Sequence, residues 1–263
     1  MKLSLITIVL NDRAHIEKTI LSVINQKADM EYIVIDGGST DGTLDVLENH
    51  RDEIDVLISE KDNGIVDAFN KGIRYCSGEI IGIVNSGDWL EDGALKKVTE
   101  TLTCEDAPDI IYGDVQYWQG DHKEYRYSAD HTYLDKFMSI NHPAVFVKKN
   151  IYDTYGLFDE NFPVAMDYEL MLRFYMHGVK FHYINQTLSN MALGGISDIN
   201  WRQAYKEAYE IRKRHLGTGL TLYIDYTLQV FKRYISNILS SVGLSTLKAL
   251  YRRYFSTIKK EKE

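Results

Sequence analysis

Apolar residues fall in short runs separated by polar, glycine-bearing turns. The run Ile80-Ile81-Gly82-Ile83-Val84 lacks polar alternation, so it suits a strand covered on both faces, as in a parallel sheet packed between helices. It stops at Asn85-Ser86-Gly87-Asp88, which places Asp88 at the strand tip, and open α/β sheets take ligands beyond the carboxyl ends of their strands. The same four residue types also favour an ordinary turn. Three earlier runs, at residues 3–10, 31–35 and 56–59, read as strands. Between them lie a helix over 15–26, with Ile16, Ile20, Val23 and Ile24 on its apolar face, and a helix starting at Thr43. A third helix carries Ala68-Phe69-Asn70-Lys71-Gly72. The succession βαβαβαβ predicts a doubly covered, mainly parallel sheet.

Further on, the pattern predicts a helix over 91–102, a strand over 109–115, a short strand after His142, a turn at 155–160 and a helix opening near Asp167. Leu170, Met171 and Phe174 supply the core face of that last helix. The chain then changes character. Leu228, Phe231, Ile235, Ile238 and Val242, and later Leu247, Tyr251, Tyr254 and Ile258, recur at three- and four-residue spacings among lysines and arginines. These predict amphipathic helices broken near Gly243. Two units follow: residues 1–199 as the α/β domain and 200–263 as a basic helical extension.

Charge sharpens that division. The chain of 263 residues carries −8 overall, but residues 201–263 hold 13 Lys+Arg against 5 Asp+Glu, leaving the rest with 17 against 33. An acidic body argues against nucleic acid as its partner. The basic extension, over 228–260, suits an anionic lipid surface, a contact with the body or a dimer contact. Cys76 and Cys104 have no metal-ligand spacing and are too few for a disulfide framework, which points to a reducing, cytoplasmic setting. Residues 3–10 end in Asn11-Asp12 with no small-residue cleavage site, so they read as a core strand. No stretch reaches the roughly 18 apolar residues of a membrane span.

The first candidate chemistry lies at the strand ends. Asp36-Gly37-Gly38-Ser39-Thr40-Asp41-Gly42 lets backbone approach a ligand and offers caps for the helix at Thr43. It is neither a Gly-x-Gly-x-x-Gly fingerprint nor a phosphate loop ending in Gly-Lys-Ser/Thr.

Taken in order, Ser4-Leu5-Ile6-Thr7-Ile8 through Asn11, the Asp36 to Gly42 turn, Asn70-Lys71-Gly72, Gly78-Glu79-Ile80-Ile81 and Asn85-Ser86-Gly87-Asp88-Trp89 resemble the family 2 glycosyltransferases of the GT-A fold. The resemblance covers residues 1–199 and continues through Tyr112-Gly113-Asp114. It implies inverting transfer of a sugar from a nucleoside diphosphate donor, most often a UDP-sugar, to an acceptor hydroxyl in surface glycan or glycolipid synthesis. By the same resemblance Ile8, Asn11, Asp36, Asn70 and Asp88 bind the donor, and Asp88 holds Mn2+ or Mg2+. Asp167 would be the general base and Leu193-Gly194-Gly195-Ile196-Ser197 the closing loop. His142 and Trp89 are candidate acceptor contacts.

Capping is the competing reading for Asn11, Asn70 and Asp167. For the aromatics around Tyr117, Trp118, Tyr125, Tyr127 and Tyr133, the competing readings are sugar stacking and cover for the sheet. Asn85 and Gly87 stand where the family often has an acid, leaving Asp88 as the sole carboxylate of that turn. Two other functions stay open: a nucleotide-sugar-binding or scaffold protein without catalysis, and a nucleotidyltransferase, disfavoured because no glycine-rich motif with a following basic pair stands near the N-terminus. Sugar, acceptor and oligomeric state are not legible.

Overall fold

The computed structural model describes residues 2–103, 107–195, 199–241 and 260–261. Strands β1 (Leu3–Val9), β2 (Met30–Asp36), β3 (Val56–Ser59) and β4 (Ile80–Ile83) run parallel in the order β4-β1-β2-β3. Helices α1 (Ile16–Ile24), α2 (Thr43–Asn49) and α3 (Ile65–Tyr75) connect them. Successive side chains of a strand point to opposite faces. Leu3, Leu5 and Val9 therefore pack with Ile16, Ile20 and Leu47 on one side, while Ile6 and Ile8 pack with Phe69 and Ile73 on the other. A Cβ on Gly72 would lie 2.6 Å from Ile6 Cγ2, so glycine there sets how closely α3 rests on β1.

Beyond β4 the sheet continues, in order, with the strands Val145–Lys148, Ile110–Gln119 and His122–Tyr127. After a short β5 (Trp89–Leu90) and α4 (Ala94–Leu102), the chain forms β6 (Ile110–Gln119), β7 (His122–Tyr127), β8 (Val145–Lys148), α5 (Lys149–Tyr155), α6 (Met166–Met176) and β9 (Phe181–Ala192). β8 is antiparallel to β4 and β6, β7 to β6, and β5 to β9, whereas β9 runs parallel to β6. The sheet is thus mixed, with its parallel half covered on both faces. Two features differ from the sequence expectation. β9 is a long strand with irregular exposure and register shifts against β6. The helix expected over 91–102 begins at Ala94, because Gly93 adopts φ +76 before it.

The aromatics of this half mostly cover the sheet: Tyr117 stacks on Tyr125 at 4.8 Å. Asp114, fully buried, ties β6, β7 and β9 together by accepting from Arg126 Nε at 2.7 Å, Ala129 N at 3.0 Å and Tyr183 Oη at 2.7 Å.

The extension forms a hairpin of α7 (Trp201–Leu216) and α8 (Leu220–Ser241). α7 lies against α6: Ile211 is fully buried, Arg214 pairs with Asp159 at 2.5 Å, and His215 meets Glu169 at 3.0 Å. The division expected at 199/200 thus falls just before a helix built into the body. The second amphipathic repeat, the residues after Gly195 in the closing loop and Cys104 lie outside the described residues.

Candidate active site

Side chains at the carboxyl ends of β1, β2 and β4 form a polar cradle. Asp36 ends β2 with no exposed surface, and its carboxylate accepts from Ser39 N at 3.1 Å, Ser39 Oγ at 2.5 Å and Ser59 Oγ at 2.6 Å. Those bonds fold the glycine-rich turn back over the strand. Asn11, exposed and at φ +51, receives Thr40 N on its Oδ1 at 2.8 Å and donates its own N–H to Ser39 Oγ at 2.7 Å. The carbonyl of Ile8 accepts from Ser86 N, which stitches the ends of β1 and β4 together. Asp12 strengthens that seam by accepting from Ser86 Oγ at 2.6 Å.

Asp88 closes the cradle. Gly87 takes φ +90, a backbone state that glycine reaches without strain, and turns Asp88 inward. Thr19 of α1, fully buried, donates to the Asp88 carbonyl at 2.7 Å and accepts from Gly87 N at 3.1 Å. The Asp88 carboxyl itself is buried. Its pKa is pushed up to about 8, chiefly because burial disfavours the charged form; the Ala192 N–H opposes this and the Asp12 charge adds to it.

Asn85 Oδ1 in the same turn is buried with no hydrogen-bond partner. A buried carboxylate and an unpartnered amide oxygen in one turn are hard-oxygen donors of the kind that suit Mg2+ or Mn2+, with phosphates and waters completing the shell. Among the described residues no group of three or more His, Cys, Asp or Glu side chains converges, so protein ligands alone do not enclose an ion.

Asp167 lies in the first turn of α6, partly open to solvent. Its carboxylate accepts from Tyr168 N at 2.7 Å. Burial raises its pKa to about 6, against backbone N–H groups that lower it, and Glu207 raises it further. Asp88 and Asp167 stand on different elements. The turn at residues 142–144 packs on β4, β5, β6 and β9.

His142 in that turn is buried, its ring 5.4 Å from Phe69 and 5.5 Å from Phe158 on the path into α6. Burial lowers its pKa to about 4, so it is neutral, and its Nδ1 has no partner. Asn70 is buried too. Its Nδ2 donates to the Phe158 carbonyl at 3.0 Å and its Oδ1 accepts from Phe158 N at 2.9 Å, so both ends of the amide are committed to that backbone. Trp89 is half-buried, with the Lys18 ammonium 3.0 Å from its ring centroid and Trp118 at 5.5 Å.

Ile8, Asn11, Asp36 and Asp88 therefore share one cradle, whereas Asn70 and His142 belong to the packed knot beside α6. Asp12, Thr19 and Glu207 were not singled out from the sequence. Asp12 carried a readable signal, a second polar residue at the β1 end; the other two look like ordinary helix residues. A recess of about 380 Å3 opens at the opposite end of the sheet, by Gly78, Lys148, Lys149 and Asp153. Lys148 is held by Asp109 and the Ala107 carbonyl there, and Lys149 by the Cys76 carbonyl. Strand carboxyl ends locate the chemistry in open sheets, so the cradle is the stronger candidate.

An open α/β sheet with a carboxylate-bearing cradle at the carboxyl ends of its strands is an architecture that takes its ligand at that edge. The family model "Glycosyl transferase family 2" matches residues 4–174, and the chain belongs to that family. A PGL/p-HBAD biosynthesis glycosyltransferase of Mycobacterium bovis is 26% identical over 178 residues, covering 65% of this chain and 68% of that protein. Chondroitin synthase of Escherichia coli is 29% identical over 201 residues, 70% of this chain but only 28% of the synthase.

Among solved structures, S. aureus TarS 1–349 in complex with UDP-GlcNAc superposes with a TM-score of 0.67 at 17% identity, covering 91% of this chain and 73% of that one. The match to the same TarS fragment crystallised without that ligand covers 80% of this chain and 65% of that one. The mannosyltransferase PcManGT from Pyrobaculum calidifontis, in complex with GDP-Man and Mn2+, gives 0.64 at 15% identity, covering 96% of this chain and 81% of that one. These likenesses establish the GT-A fold.

Proposed function

We propose that the chain is an inverting glycosyltransferase that moves a sugar from a nucleoside diphosphate donor, in the first instance a UDP-sugar, to a hydroxyl of a surface glycan or glycolipid. The observation that carries this reading is the buried Asp88 at the end of β4, facing a cradle built from the ends of β1 and β2. Donors of this class occupy related folds in the TarS and PcManGT complexes. Ile8, Asn11 and Asp36 shape the nucleoside side of the cradle. Asn70 supports the site through the backbone it holds.

Asp88, with Asn85 Oδ1 of the same turn, would hold Mg2+ or Mn2+, which when bound supplies positive charge to the departing diphosphate. Asp167 accepts the proton of the acceptor hydroxyl as that oxygen bonds to the anomeric carbon and the carbon–oxygen bond to the diphosphate breaks. A carboxyl with a pKa of about 6 is ionised at neutral pH and still basic enough for that task. His142, through its free Nδ1, and Trp89 are the acceptor-side candidates.

Calorimetric titration of UDP and GDP, each with Mg2+, Mn2+ or chelator, tests the donor site. Metal-dependent binding lost in Asp88→Ala supports it, and no binding to either nucleotide defeats it. A second reading, binding without transfer, is favoured by Gly87 standing where a second acid is common. Release of nucleoside diphosphate from a donor sugar would exclude it.

The membrane side of the proposal rests on α8. Leu220, Ile224, Leu228, Phe231 and Ile238 are exposed at helical spacing, from 44% to 75% of their surface. No helix among the described residues is long and apolar enough to cross a membrane; an exposed apolar stripe on a basic helical extension suits contact with an anionic membrane surface, here taken as the cytoplasmic one. Because α7 is part of the body, the test keeps the full chain: a double Phe231→Ser, Ile238→Ser variant should float less with anionic vesicles. Equal recovery would remove the membrane contact.

A further inference from the structure

The start of α6 depends on a residue far outside the family-matched span. Ala165 stands at the N-cap with no side chain able to bond the first turn. In its place Glu207, from the second turn of α7, brings Oε2 to within 2.9 Å of Val164 N and 2.8 Å of Ala165 N. Gln203, one turn earlier on α7, donates its Nε2 to the other oxygen, Oε1, at 2.8 Å. The Glu207 side chain is buried, and these three N–H groups together with the positive end of α6 offset the cost of burying its charge.

We propose that Glu207 is a positioning residue for the general base: its carboxylate fixes the backbone at residues 164–165 and so sets where Asp167 stands at the opening of α6. The proposal rests on reading Asp167 as that base. It assigns to the helical extension a part in the reaction that no motif within residues 4–174 supplies.

The neighbouring charges are otherwise engaged. Glu169 is held by Arg173 at 2.8 Å and meets His215 at 3.0 Å; Arg214 pairs with Asp159; Arg212 pairs with Asp225 and donates to the Asp135 carbonyl. Glu207 is the charged side chain that bears on Asp167, and it raises that carboxyl's proton affinity beyond what burial does. A neutral amide at 207 would satisfy the same two N–H groups without the charge. That difference separates positioning with electrostatic tuning from plain capping.

The test uses the full-length chain labelled with 13C at aspartate carboxyl carbons. The resonance absent from Asp167→Asn is Asp167, and its titration is followed by NMR in wild type and Glu207→Gln. The midpoint should fall by about half a pH unit in Glu207→Gln, in keeping with loss of one nearby like charge. In Glu207→Ala the amides of Val164 and Ala165 should exchange with solvent about tenfold faster or more, the scale on which local openings follow lost hydrogen bonds. An unmoved midpoint in Glu207→Gln, which is near-isosteric and can keep the bonds to Val164 and Ala165, removes the electrostatic part of the role, and amides of those two residues that exchange at the wild-type rate in Glu207→Ala overturn the positioning.

Turnover of a panel of UDP- and GDP-sugars by Asp167→Asn distinguishes the two readings. If that variant stays active while Glu207→Gln still shifts the midpoint, the general-base assignment fails and the positioning contact stands. If Asp167→Asn is inactive but Glu207→Ala turns over as fast as the wild type, with the same acid limb, the positioning role fails alone.

Discussion

Asp88 and Asp167 are both carboxyls pressed into protein, yet their surroundings drive them to different states. Around Asp88 the principal influence is burial, reinforced by Asp12, and the result is a group that holds its proton to about pH 8. Around Asp167, the N–H groups at the head of α6 offset part of the burial, and the result is a group that ionises near pH 6. The first carboxyl is ionised at neutral pH only if a cation joins it. The second is ionised there without help. Two chemically identical side chains thus acquire the distinct profiles wanted for ion binding and for proton abstraction, by the number of opposing dipoles rather than by depth alone.

The sharpest way to break the contrast is Asp167→Asn. Loss of a general base commonly costs a factor of about 10² to 10⁴, so turnover should fall about a thousandfold while nucleotide affinity stays within about threefold. In the unaltered chain the rate should decline about tenfold per unit as pH falls below 6, since protonation removes the base. An acid limb that persists unchanged in the asparagine variant would assign it to another group.

Asp88→Asn probes the other side through stability. A carboxyl whose folded pKa exceeds its unfolded value takes up a proton on folding, so its contribution is complete below about pH 4 and erodes as pH rises towards 8. With chelator present, Asp88→Asn should match the wild type near pH 3.5 and exceed it by on the order of 5 kcal/mol at pH 8. Addition of Mg2+ should restore much of that difference to the wild type alone. A pH-independent difference in denaturant unfolding would place the Asp88 carboxyl in a more polar setting.

The same physics explains what the sequence disclosed. β1, β2 and β4 were legible because strands covered on both faces have few polar interruptions, and the cradle was legible because turns at their ends are written in Gly, Asn, Asp and Ser. β9 was not legible: its exposure follows no period of two, and its pairing with β6 shifts register at Asp114. α7 lay within the expected helical extension, but its packing on the body was not legible, for a different reason. The surface it buries consists of Glu207, Ile211 and Arg212, one apolar residue between two charged ones, so no apolar stripe marks it. Thr19 lay in a helix that was found, but only packing reveals that its hydroxyl holds the backbone of Asp88.

Asn70 supplies the smallest and most discriminating effect, because the family resemblance offers it as a donor ligand and its amide is bonded at both ends to Phe158. Asn70→Ala would leave the Phe158 N–H and carbonyl buried without partners, and each unsatisfied group costs about 1–3 kcal/mol. A loss of about 2 kcal/mol in denaturant unfolding is expected, with UDP affinity changed less than threefold at temperatures where the variant is folded. The His142 ring packs on both Phe69 and Phe158, so the same substitution should loosen the turn it occupies and speed amide exchange there. A variant of full stability that has lost nucleotide affinity would instead place Asn70 in direct contact with the donor, and would join the two halves of the site that these bonds keep apart.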